Sequence, residues 1–113
     1  MRMWNVDPKK MCREHLLGEH LEMHMFLSTI RVGKSLEGYL KKHLVEVRNI
    51  CARHDELVEE MLSRGWKHTT PIPEEVEKGM MSMPTWNCGE VDAEANEKEL
   101  IRRCERCRER QQQ

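Results

Sequence analysis

Leu16, Met23, Leu27 and Ile30 share one side at helical intervals, and predict a helix early in the chain. Asp7 suits its N-cap and Pro8 its first position, so the helix is expected to open there and run to about residue 30. Val32-Gly33-Lys34-Ser35 reads as a loop. The clearest stripe comes next: Leu40, Leu44, Val47, Cys51, His54, Val58 and Met61 step along one face. They predict a second helix over most of Glu37 to Arg64, closed by Gly65 at C′. Pro71, Pro73, Gly79, Pro84 and Gly89 divide residues 66 to 89 into loops, with one short helix over Glu74 to Met81. Asp92 can cap a last amphipathic helix, in which Leu100, Ile101, Cys104 and Arg108 lie on neighbouring rows. No period-2 segment stands out, so the class is all-α, a compact single-domain helical fold of about three main helices with long ordered loops. Two regions are expected: a helical domain over 1–89, and a C-terminal amphipathic helix over 90–113 packed on it or extending from it.

Composition narrows the function classes. The chain has 113 residues, 35% charged and 38% hydrophobic but only 4% aromatic, so its core must be built from Leu, Val and Met. A formal charge of −1 excludes a histone-like polycation and a disordered acidic tail. The cancellation is regional. Residues 1–56 hold ten Lys and Arg against eight Asp and Glu, the remainder nine against twelve, which places a modest basic rim in the first half. No long apolar run and no signal-like start occur, so a soluble monomer is expected, without membrane attachment and cytoplasmic, or nucleoid-associated in a prokaryote.

The first helix concentrates the chemistry. His15, Glu19 and Glu22 fall within a narrow arc at i, i+4 and i+7, a polar stripe that must face solvent or a polar cleft. Two carboxylates three residues apart repel, and a nearby imidazole can share a proton with either; an ordinary solvated helix face has the same pattern. His20 and His24 have i, i+4 metal-ligand spacing, but the intervening Leu21-Glu22-Met23 is not a zinc-protease triplet and no third ligand is evident. Cys88, Cys104 and Cys107 resemble most of a zinc ribbon, with Thr85 where another Cys would complete it. A fourth ligand for structural zinc would come from Cys12, Cys51 or a His; equally, these thiols can pack as small hydrophobes. Otherwise no cofactor is expected. The nine Met residues read as core filler, and no phosphate-binding glycine loop or nucleophile elbow is present.

Several separate segments resemble one family. They are Met1-Arg2-Met3-Trp4, the helix segment Glu14-His15-Leu16-Leu17-Gly18-Glu19-His20-Leu21-Glu22, and Arg53-His54-Asp55-Glu56-Leu57-Val58-Glu59-Glu60-Met61 followed by Arg64-Gly65-Trp66, with Pro84-Thr85-Trp86 beyond. Together they are similar, collinearly over about residues 1 to 89, to the pyrimidine-dimer DNA glycosylase family. The resemblance implies a glycosylase and abasic-site lyase on a compact helical fold, acting on ultraviolet-damaged or abasic double-stranded DNA. An N-terminal amine attacks the sugar C1′ to give an imine, and a helix glutamate assists. On that pattern Met1 carries the nucleophile and Glu22 is the catalytic glutamate, while Arg2, His15, Glu19 and Trp86 face the substrate. An α-amine suits the part, since such groups ordinarily titrate near ~7.7–8.0, far below a Lys side chain.

This chain departs from the family pattern in three respects. Arg2 is too bulky for ordinary removal of the initiator Met, so the amine is that of Met1 itself. Leu21 stands where the family has a phosphate-gripping arginine before the glutamate, and Met25 replaces another basic position. Asn87-Cys88-Gly89-Glu90 replaces the aromatic-rich tail. The alternative is a non-catalytic helical binding or structural protein, with or without zinc, that keeps the scaffold and has lost its grip on DNA.

Overall fold

The computed structural model describes residues 1–112, which contain six α-helices and no strand; the last residue of the expected terminal helix, 113, lies outside them. The central pair is α1 (Arg13–Arg31) and α3 (Ile50–Ser63), which pack along each other. Around them lie α2 (Glu37–Lys41), α4 (Glu74–Met81), α5 (Ala93–Arg103) and α6 (Glu105–Gln111). Met3, Met11, Leu16, Met23, Phe26, Val45, Val47, Ile50, Leu57 and Leu100 form the buried centre. It is a methionine- and aliphatic-rich core, as the scarcity of rings requires. No helix among the described residues is long and apolar enough to cross a membrane.

Local signals placed several boundaries. Gly33 and Gly65 have φ of +79° and +84° and close α1 and α3 with paired reverse hydrogen bonds, Lys34 N to Thr29 O and Trp66 N to Met61 O. Asp92 accepts from Ala95 N to start α5, and α4 spans the expected residues.

Three expectations are corrected. Asp7 and Pro8 begin only a 3₁₀ turn over Pro8–Lys10, and α1 starts five residues later, with the Cys12 thiol as its N-cap. The long helix from Glu37 to Arg64 is interrupted over residues 42 to 49. His43 takes the left-handed position at φ +57° that a glycine usually fills, with Leu44 N returning to Tyr39 O. The next residues then turn their backbone to distant parts of the chain, Leu44 O to Met3 N at 2.6 Å and Val47 N to Cys88 O at 3.2 Å. The last helix is likewise two, because Cys104 leaves helical geometry (φ −124°, ψ 109°) and its thiol caps α6.

Candidate functional site

The first four residues cross α1 as an irregular segment without strand partners, called here the N-terminal strand for its alternating backbone, before Asn5 turns the chain at φ +54°; that alternation matches the spacing of acids on the helix. Arg2 N donates to Glu22 Oε1 at 2.8 Å, and Trp4 N to Glu19 Oε2 at 3.0 Å. Between them the Met3 amide points the other way, to Leu44 O, and the Met3 side chain is fully buried. Residues two apart on a strand thus meet residues three apart on one helix face. The strand's register brings the Met1 amine to 3.6 Å from Glu22 Oε1, with both groups partly open to solvent.

The polar stripe does not face one cleft; its three members have different surroundings. Glu22 remains partly exposed beside the terminus. Glu19 is fully buried, and both of its oxygens are held by Arg53 of α3, at 2.7 Å from Nε and 2.8 Å from Nη2. Burial alone would lower the Arg53 pKa, but the Glu19 hydrogen bonds and charge outweigh it and raise the value. His15 turns toward Cys12, with Nδ1 3.2 Å from its sulfur, and meets Trp4 edge-on.

Arg2 is less free than a phosphate-gripping residue. Its guanidinium lies 3.7 Å from the centre of the Trp4 ring and donates to Asn96 Oδ1 of α5 at 2.7 Å. Asn96 Nδ2 donates in turn to Trp4 O, and Arg103 lies 4.7 Å from the same ring. Burial and then the Arg103 charge push the Arg2 pKa down. Helix α5 therefore clasps the strand that carries Met1. Next to Glu22, Leu21 and Met25 are 59% and 44% exposed, so this face presents apolar side chains to solvent. Trp86, in the loop after α4, packs half-buried against the core.

The expected cysteine set is corrected in membership. Cys88 is exposed and stands apart, whereas Cys104 and Cys107 gather with Cys12 and His15, one ligand atom from each lying within 4.8 Å of the others. Two short spacings, C-x2-H at the start of α1 and C-x2-C at the start of α6, meet in space; each begins at a helix N-cap and ends three residues on. The signal that points to this set in the sequence is Cys12 taken with His15 as a pair. The thiols already accept backbone bonds, from Cys12 N to Cys107 Sγ at 3.2 Å, His15 N to Cys12 Sγ at 3.4 Å and Cys107 N to Cys104 Sγ at 3.5 Å. Burial pushes the Cys107 thiol up to about 12 and raises Cys12. It also works upward on Cys104, but hydrogen bonds from the Cys107 backbone and thiol outweigh it and hold Cys104 below the ordinary thiol range. Cys51, pushed up to about 11 by burial, is a small core hydrophobe.

A family model described as pyrimidine dimer DNA glycosylase matches residues 1–74, a span that includes Met1, Glu19, Glu22 and Arg53 and stops before Asn96, Cys104 and Cys107. No curated protein and no solved structure matches the chain.

Proposed function

The chain belongs to the pyrimidine dimer DNA glycosylase family, and from that premise we propose that it is a DNA repair glycosylase with abasic-site lyase activity, in which the Met1 amine is the nucleophile and Glu22 its acid–base and electrostatic partner. The observation that carries this reading is the 3.6 Å between Met1 N and Glu22 Oε1, held in register by the Arg2 amide on the same oxygen.

With a proton passed to Glu22, the amine lone pair attacks C1′ of the damaged nucleotide. The new N–C1′ bond forms as the glycosidic bond breaks, and the departing base keeps that electron pair and takes the proton from Glu22. The attached nitrogen then gives a proton, by way of Glu22, to O4′ as the C1′–O4′ bond opens, which leaves a protonated imine beside the Glu22 carboxylate that stabilises its positive charge. Transfer of a C2′ proton to that carboxylate expels the 3′ phosphate with the C3′–O electron pair and nicks the strand. Water hydrolyses the imine, releases an unsaturated aldehyde and frees the amine. Glu19 does not touch the substrate in this scheme; it is a positioning residue that fixes the strand through the Trp4 amide.

Borohydride reduction on abasic-site duplex DNA tests the scheme. A covalent adduct is expected, lost on acetylation of Met1, and Glu22→Gln should slow nicking by roughly 10²–10⁴-fold. Absence of an adduct at high protein concentration and low salt overturns the enzyme reading in favour of a non-catalytic scaffold. Strand nicking of ultraviolet-irradiated against undamaged duplex then tests the lesion, because a base cut from its sugar stays joined to its dimer partner.

We also propose that Cys12, His15, Cys104 and Cys107 hold a structural zinc ion. Three thiols and one imidazole are a common closed zinc donor set, and backbone N–H groups on the sulfurs support thiolate charge. Bound there, zinc fastens α5 and α6 to the start of α1, next to the strand bearing Met1. Metal analysis is expected to find an ion that Cys107→Ser removes; equal metal content in wild type and variant refutes it.

A further inference from the structure

The His20 and His24 pair, left by the sequence without a third ligand, acquires two more in the fold. His54 projects from α3 and His68 from the loop after it, so all four imidazoles meet on the inner side of α1, with one ring nitrogen from each within 4.8 Å of the others. Five pairs of ring centroids lie 4.6 to 5.2 Å apart. Four imidazoles around a tetrahedral zinc with Zn–N near ~2.0–2.1 Å have centroids about 5 Å apart, so the rings already stand at the spacing that coordination needs.

Packing alone leaves the cluster unexplained. The Nε2 atoms of His20, His24 and His54 are buried with no hydrogen-bond partner, and His54 is 1% exposed overall. Buried polar atoms almost always find partners, and here three imidazole nitrogens lack one in a single place. The other side of the cluster is anchored. His54 Nδ1 meets Asp55 Oδ1 at 2.8 Å, the carboxylate–histidine arrangement that turns Nε2 toward a metal. His68 Nε2 meets Thr70 Oγ1 at 3.2 Å, which leaves its Nδ1 for coordination.

We propose that His20, His24, His54 and His68 form a second, four-imidazole site for a divalent zinc-class ion, separate from the thiol site. Four protein ligands leave no open position, so the ion is structural: it ties α1, α3 and the loop after α3 together from the side of α1 away from Glu22. All four ligands lie within residues 1–74, so this site belongs to the family-matched segment, whereas the thiol site needs Cys104 and Cys107 from outside it.

The test uses the full chain loaded with zinc or cobalt(II), stripped of loose metal by gel filtration and analysed for ions per chain. His68→Ala is the main variant, because His68 sits in a loop and its loss leaves the helix pair intact. It should remove one ion or weaken its retention by more than the roughly 100-fold typical of outer-shell losses. The thiolate-to-cobalt charge-transfer band reports the other site and should not change, nor should the borohydride adduct. In Cys107→Ser, the remaining cobalt should show visible bands without thiolate charge transfer. Full retention of metal in both His68→Ala and His24→Asn overturns the proposal, as does a wild-type chain whose only ion is removed by Cys107→Ser.

Discussion

Arg53 grips both oxygens of Glu19 from the facing helix, at 2.7 and 2.8 Å, while the same carboxylate takes the Trp4 amide. Beneath a partly exposed Glu22 there is thus a second acid, buried and paired, that locks the strand before Glu22 meets the terminus.

Breaking this pair from one side should be costly, because it strands a buried charge. Glu19→Gln or Arg53→Met is expected to lower unfolding stability by about 3–5 kcal/mol, and the double apolar variant to recover part of the loss. Urea unfolding measures it; single variants costing under about 1 kcal/mol would show that water reaches the pair.

Leu21 and Met25 supply no charge where they flank Glu22. Leu21→Arg and Met25→Arg should each tighten binding to duplex DNA and steepen the dependence of log K on log salt by about 0.9 for every phosphate gained. Salt titrations by fluorescence anisotropy read this directly. An unchanged slope would place the DNA on another face.

Gly89 has φ +95° and faces the bend after α2, where a Cβ would fall 2.1 Å from Val45 O and 2.9 Å from Leu40 Cδ2. Gly89→Ala therefore combines backbone strain with a clash against main chain. It should cost about 3 kcal/mol or more, whereas Gly38→Ala, with open space around it, should change stability little. Thermal unfolding of the two variants side by side checks the contrast.

Glu46 accepts from Val91 N, Asn49 and Asn5 at 2.8, 2.8 and 3.1 Å. Burial works to raise its pKa, but these hydrogen bonds and Arg48 outweigh it and hold the carboxyl below its ordinary value. The unfolded chain then binds this proton more readily than the folded one. The stabilisation is complete above the unfolded value near ~4.3 and is lost as pH falls through the lower folded value. Glu46→Gln should cost roughly 1.5–3 kcal/mol at neutral pH and flatten the acid limb of the stability profile. An acid limb identical to wild type would contradict it.

What the sequence made legible was local. Gly33, Gly65 and Asp92 mark helix ends through chemistry within a few residues, and α4 is bounded by its flanking prolines. The break at residues 42 to 49 is set by Met3, Cys88 and Gly89, none of them nearby in sequence, and it occurs at a histidine where a glycine would have signalled it. Cys104 interrupts the last helix as it joins Cys12, 92 residues away. The Met1–Glu22 pairing was expected from family resemblance, whereas the burial of Glu19 had no local signal, since Arg53 lies beside the apolar stripe and looks like a surface charge. His54, by contrast, sits on that stripe, and the stripe itself hides its chemistry.

The clasp made by Asn96 on Arg2 spans 94 residues, so translation completes the segment that carries Met1 long before the residue that fixes it. A nascent chain that has just completed its family-matched segment carries Met1, Glu22, Glu19 and Arg53 but has no α5 across Arg2 and Trp4. A nonsense codon after Gly89 would likewise leave a chain without α5, its family-matched segment whole and the outer wall of the amine-bearing segment missing. The ribosome finishes the enzyme's first residues last.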